Sequence, residues 1–422
     1  MRSVLPALVV SAAISTPAFG QEPALSSVSD LVKQASRKVT AVARTPLAAP
    51  TSDVLHVVTT LEPPASGRTP NYLRALAIIP GSVQPFATAF KTLVYGGTVE
   101  PETKIAMALQ VARVLQSPYV AVHARRMLAA SDRGRGLLSH LESGTTIRPD
   151  QDLALRYAAW LTSDVHGVDD ERFRQVRGFY NDAQIVELTL TVSFFNYFTR
   201  IVEAVNLPVE PWALELSAVP PRIEHERQLA RVNLISDGQL AWAQSLRARQ
   251  QPAGEQNGDA FGLVNSQRAM NLVPDVSSAW RAYTGTTGAD AVVSREVKLQ
   301  VSFAVSMANG CRYCTLHQVL GLRRLGVSPG KLLEMQKNDS ALTPRELTAV
   351  TFARKLTRAP ASITDEDYNR LRSEFGERGA LEVVLQTCNF AFMNRFTDNL
   401  GLPSEDEAVS VYREVYGRDW KK

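Results

Sequence analysis

Cysteine is scarce: 422 residues carry only Cys311, Cys314 and Cys388. A second Cys-x-x-Cys is absent, so four-cysteine zinc sites are excluded. No basic block interrupts the even spread of Lys and Arg, and the formal charge is only +4, so nucleic acid is not implied. Strand-like alternation bounded by turn signals is rare, which argues against a sheet. Beyond the N-terminus no apolar run reads as long enough to span a bilayer.

What is present starts with a leader. Arg2 precedes an apolar stretch from Val4 to Ile14, and Ala18-Phe19-Gly20 forms a small-x-small cleavage site. Residues 1–20 therefore read as a secretory signal peptide, with Gln21 the first mature residue and an exported, periplasmic destination. Residues 21–65 read as an N-terminal linker with a short helix within Asp30 to Arg44. Helical periodicity dominates the remainder, giving an all-α expectation.

The body matches itself. His123 and His317 stand 194 positions apart, and the same offset relates Tyr119 to Tyr313, Lys104 to Lys298, Glu102 to Glu296, Pro80 to Pro274 and Asn71 to Asn265. Further on an offset of 195 relates Pro149 to Pro344, Glu187 to Glu382, Arg200 to Arg395 and Pro208 to Pro403. Shared composition does not hold one register so long, so two tandem units are expected, residues 66–212 and 259–422. Residues 213–258 join them, with a helix from Glu224 to Arg249 and a polar linker after it.

Cys311, Cys314 and His317 repeat every three residues, which places them on one helix face. Asn309-Gly310 is a turn dipeptide, so a helix break is expected there, with Cys311 in the first turn of the next helix. Helix-terminal N–H groups stabilise a thiolate, and Arg312 adds positive charge. Four readings of this motif compete. A redox dithiol fits all its parts. Zinc finds no fourth ligand nearby. Haem attachment needs His directly after the second Cys, where Thr315 stands. A structural disulfide closes too short a loop to stabilise the fold much. Cys388, between apolar neighbours, reads as a buried inert thiol. No metal or organic cofactor is called for.

The run Asn309-Gly-Cys-Arg-Tyr-Cys-x-x-His317, with Ala304-Val305-Ser306 before it, resembles the carboxymuconolactone decarboxylase family, in its alkylhydroperoxidase D-like branch. The tail Asn394 to Pro403 is similar to that group's closing helix. The resemblance covers the second unit; the first enters only through the internal repeat. It implies an all-α fold, homo-oligomerisation, and a thiol peroxidase acting on a small hydroperoxide with a thioredoxin-like reductant; with the internal repeat, two such domains forming a pseudo-dimer are expected. Carried over, Cys314 attacks the peroxide and Cys311 resolves the sulfenic acid as a disulfide, chemistry that thiol spacing itself allows. His317 and Glu296 are the candidate acid–base residues. The branch's usual His and Glu positions hold Gln318 and Leu299 instead. In the first unit Ser117 and Val120 replace the thiols, so that unit reads as a structural half. The alternatives are a non-redox decarboxylase-like enzyme using His317 and Glu296, and an inactive helical scaffold with a permanent disulfide.

Overall fold

The computed structural model describes residues 22–48, 69–216, 264–288 and 291–420. The leader, residues 49–68 and the expected helix from Glu224 to Arg249 lie outside them. Among the described residues there is no strand, and the all-α expectation holds.

The N-terminal segment forms α1 (Val28–Arg37), capped by Ser27, whose side chain accepts the Asp30 N–H. Next come α2 (Asn71–Leu76), α3 (Val83–Tyr95), α4 (Pro101–Leu115), α5 (Pro118–Ala129), α6 (Asp132–Ser143), α7 (Pro149–Ser163), α8 (Asp170–Arg177) and α9 (Asp182–Ala204). After the undescribed connection follow α10 (Asn265–Met270), α11 (Pro274–Gly288), α12 (Arg295–Asn309), α13 (Arg312–Arg324), α14 (Pro329–Lys337), α15 (Pro344–Arg358), α16 (Asp365–Asn399) and α17 (Asp406–Tyr416).

Local chemistry sets these boundaries. Proline opens α4, α5, α7, α14 and α15, where its missing N–H costs nothing. Asn181 with Gln184 and Thr343 with Glu346 form capping boxes at α9 and α15. Gly376 breaks α16 with a positive φ of 68°. It stands 195 positions after Asn181, the cap of α9, so α16 contains two helices that correspond in place to α8 and α9. The starts of α2 and α10, α4 and α12, and α5 and α13 likewise lie 194 apart, and those of α7 and α15 lie 195 apart.

One continuous apolar core runs through both segments. Its middle is α9 packed on α16, with α3 packed on α11. Trp280 stacks on Phe392 at 4.4 Å between ring centres, and the Tyr197 and Tyr283 hydroxyls meet at 2.5 Å. Each such aromatic pair is worth about 0.5–1.5 kcal/mol beyond its burial. Two contacts are reciprocal across the halves. Arg200 donates to the Thr357 carbonyl at 3.3 Å, and Arg395 donates to the Thr162 carbonyl at 3.1 Å. Both arginines are buried, and burial pulls both guanidinium pKa values down. Helix α9 is apolar and long enough to cross a membrane by length and composition, contrary to the expectation of no such run, but it is wholly buried inside the protein. A second core under α17 gathers Phe303, Leu316, Val319, Leu332 and Tyr412.

Candidate active site

Helix α12 ends because Gly310 adopts the left-handed conformation, φ 70°. The Cys311 N–H still reaches back to the Ser306 carbonyl at 3.0 Å, so the chain turns sharply into α13. Cys311 is not in the first turn, as expected, but is the residue before it. Its sulfur caps α13 by accepting the Cys314 N–H at 3.4 Å. Sulfur is a weak acceptor; in the first half Ser117 occupies the same place at the start of α5, where its oxygen accepts the Val120 N–H.

Both cysteines are unpaired and buried, Cys311 at 0% and Cys314 at 3% exposure. Thr397 on α16 lies over the pair, its Oγ1 3.4 Å from the Cys311 sulfur and 3.2 Å from the Cys314 sulfur. Asn394, one turn earlier, is held by Asn309 at 2.8 Å and by Ser306 at 3.1 Å. These surroundings split the thiols. Burial pushes Cys311 well above the ordinary range, helped by the neighbouring Cys314 and the Asp398 carboxylate. Burial also opposes ionisation of Cys314, but hydrogen bonds from Cys311, Thr397 and Asn394 outweigh it, and its pKa falls. These surroundings favour ionisation of Cys314 over that of Cys311.

His317 lies on the same helix, but its ring faces elsewhere. It packs on Tyr313 at 4.4 Å, and its Nε2 lies 2.6 Å from a Glu405 oxygen. Burial lowers its pKa against the pull of Glu405. The other Glu405 oxygen accepts the Asn265 N–H at 2.7 Å and the Tyr313 hydroxyl at 3.2 Å. The first half repeats this frame. His123 Nε2 is 2.9 Å from Glu210, and Tyr119 donates to Glu210 at 2.8 Å. Asn71 Nδ2 bonds the Pro208 carbonyl at 2.9 Å, as Asn265 Nδ2 bonds that of Pro403 at 2.9 Å. The frame persists where the thiols are missing, so its common task is to fasten the chain beyond the last long helix.

Glu296 is not brought to the cysteines. It sits in the first turn of α12, whose far end carries the motif, roughly 20 Å along the axis. Lys331 donates to it at 2.9 Å and Gln300 at 3.0 Å, and Lys331 also binds Glu346. Leu299 and Gln318, at the branch's Glu and His positions, are an apolar side chain packed near Gly321 and a buried amide.

Four residues near the motif or its histidine carry no label in the local spacing. Glu405 was accessible, because the offset of 195 that pairs Pro208 with Pro403 also pairs Glu210 with Glu405. Thr397 and Asp398 lie inside the tail from Asn394 to Pro403, and the same offset sets them against Val202 and Glu203. His166, in the turn after α7, gave no signal. Its Nδ1 lies against the Asp398 carboxylate, and its Nε2 lies 3.2 Å from where a side chain on Gly310 would begin. Gly310→Ala is therefore expected to lose about 1–2 kcal/mol from the left-handed backbone alone, and to push the His166 ring aside as well. Thermal unfolding reads the first effect. An unchanged midpoint would mean the turn relaxes freely.

These features define an all-helical protein whose buried cysteine pair sits at a helix start beneath a threonine. Its segment 274–355 matches the Carboxymuconolactone decarboxylase family, a stretch that contains Cys311, Cys314, His317 and Glu296. No curated protein matches the chain. Among solved structures it is similar to a debrominase crystallised in its apo form, at 22% identity and a TM-score of 0.34, over 36% of this chain and 83% of that one.

Proposed function

We propose that the protein is an exported thiol peroxidase that reduces small hydroperoxides through Cys314 and Cys311. The observation that carries this reading is the buried thiol pair at the start of α13, where the Cys311 sulfur accepts the Cys314 N–H and Thr397 Oγ1 lies 3.2 Å from the Cys314 sulfur, surroundings that favour ionisation of Cys314. The Cys314 thiolate attacks the outer oxygen of the hydroperoxide, the O–O bond breaks, and an alcohol leaves with the proton. Cys314 then carries a sulfenic acid. Cys311 displaces its hydroxyl as water and closes a disulfide. A thioredoxin-like dithiol takes up the oxidising equivalents and returns both thiols. Near-complete burial of the sulfurs favours a small substrate.

The recurring helix offsets and the duplicated His–Glu–Tyr frame support a tandem duplication of an alkylhydroperoxidase D-like unit, with the first copy retained for its packing. The reciprocal arginine contacts are what a two-fold interface between two such units would leave in one chain. Homo-oligomerisation of the whole chain and periplasmic delivery belong to the same reading.

The test uses the reduced mature protein with hydrogen peroxide and an organic hydroperoxide. Both thiols should disappear together as a disulfide forms, and dithiothreitol should restore them. Cys311→Ser should stop at a sulfenic acid on Cys314 that dimedone traps. Thiols that survive excess peroxide would overturn the reading.

A further inference from the structure

We propose that the proton-handling group of the dithiol site is His166, contributed by the first half of the chain and oriented by Asp398. This rests on the thiol chemistry proposed above, but only on the presence of a reactive Cys314, not on peroxide as its substrate.

The geometry is specific. His166 stands in the short turn between α7 and α8 and reaches α16 of the other half. Asp398 holds its Nδ1, while its backbone N–H is fixed by the Asp164 carboxylate at 2.9 Å. The ring therefore presents Nε2 to the start of the motif. That nitrogen is enclosed and has no hydrogen-bond partner among the described residues. It abuts Gly310, the residue before Cys311, which has no side chain to keep it away. The carboxylate behind the ring belongs to the same environment, since its charge disfavours ionisation of both thiols.

The position 195 after His166 is Ala361, and the position 195 before Asp398 is Glu203. Glu203 needs no histidine, because Lys38 binds it at 2.8 Å and Ser117 donates to it at 2.6 Å. The cross-half histidine is present where the cysteines are and missing where they are lost. His317 offers no such distinction, because His123 duplicates its frame.

The proton inventory balances. Nε2 bonds neither sulfur directly, so the Cys314 proton reaches His166 through one water that enters with the substrate, leaving a thiolate and an imidazolium held against Asp398. When the O–O bond breaks, the imidazolium returns that proton to the departing alkoxide. The peroxide hydroxyl stays on Cys314 as the sulfenic acid, so thiol plus hydroperoxide become sulfenic acid plus alcohol. The other charges near His166 are Asp164, Arg172, which donates to the Gly167 carbonyl at 2.7 Å, and Arg395 on α16. None of these contacts Nε2.

Two variants, compared with the unchanged full chain, test the assignment through iodoacetamide alkylation of the reduced thiols against pH. His166→Gln removes the imidazolium and leaves the Asp398 charge unbalanced beside the sulfurs. The midpoint of alkylation should rise by about one pH unit or more, and peroxide turnover should fall about 10²–10⁴-fold. Asp398→Asn removes that charge, so the midpoint should move down instead, while turnover still falls because the ring is no longer aimed. Added imidazole should restore part of the activity of His166→Ala. A merely structural role would move both midpoints the same way and show no imidazole rescue, and either result would overturn the proposal. If wild type consumes no peroxide yet the midpoints move oppositely, the peroxidase reading fails and the role of His166 stands. Circular dichroism of each variant checks folding. Should His166→Gln not fold, the imidazole rescue of His166→Ala decides: restored turnover supports the proposal and its absence overturns it.

Discussion

Cys314→Ser is expected to reduce peroxide turnover by about 10³-fold or more, to the level of the dithiol donor alone. A serine hydroxyl at that place stays protonated and cannot attack the peroxide oxygen. The loss should be chemical rather than structural. Serine is nearly the size of cysteine, and Thr397 Oγ1, 3.2 Å from the native sulfur, can accept its hydrogen. The first half already carries Ser117 at the neighbouring capping place without disturbing helix α5. Steady-state peroxide consumption, with unfolding measured alongside, checks both halves of the expectation. Retained turnover in a folded Cys314→Ser protein would remove the dithiol from the chemistry and return the acid–base alternative to the front.

The largest loss of stability is expected from Glu187→Ala. Glu187 on α9 accepts N–H groups of Thr98 at 2.9 Å and Val99 at 3.1 Å, and the Lys104 ammonium at 2.7 Å. The two charged side chains are 3% and 0% exposed. Taking away the carboxylate leaves a buried ammonium facing the Gly96 carbonyl, and two backbone donors without their acceptor. Breaking such a pair costs about 3–5 kcal/mol, a large part of the roughly 5–15 kcal/mol that holds an ordinary domain together. Glu382→Ala, the counterpart in the second half, should cost less. Its partner Lys298 is 13% exposed and can turn toward water. Urea unfolding of the two variants measures the difference. A loss below about 1 kcal/mol for Glu187→Ala would mean that water enters to solvate Lys104.

Much of the fold was legible without coordinates. Helical periodicity acts within a single turn and marked the all-α class, but the helices that close each half, α9 among them, were not placed by it. The break at Gly310 followed from one dipeptide. The parts that stayed hidden share a physical cause: they arrive from distant sequence. Thr397 lies 83 residues from Cys314, and nothing in the spacing of either segment announces that they touch. Glu296 shows the complementary error. Being about one turn from Leu299 says which way a side chain points, and nothing about the axial distance to the motif. Register comparison could recover Glu405, which has a twin in Glu210. It could not recover His166, whose corresponding position is Ala361.

The shared core of Trp280, Phe392, Tyr197 and Tyr283 also bears on dilution. Two separate subunits joined by such a surface part as their concentration falls, and a site completed across the joint is lost with them. A tether sets the local concentration of one partner around the other in the millimolar range whatever the bulk value. In this chain the joint between α9 and α16 is intramolecular, so its integrity does not depend on how dilute the protein becomes.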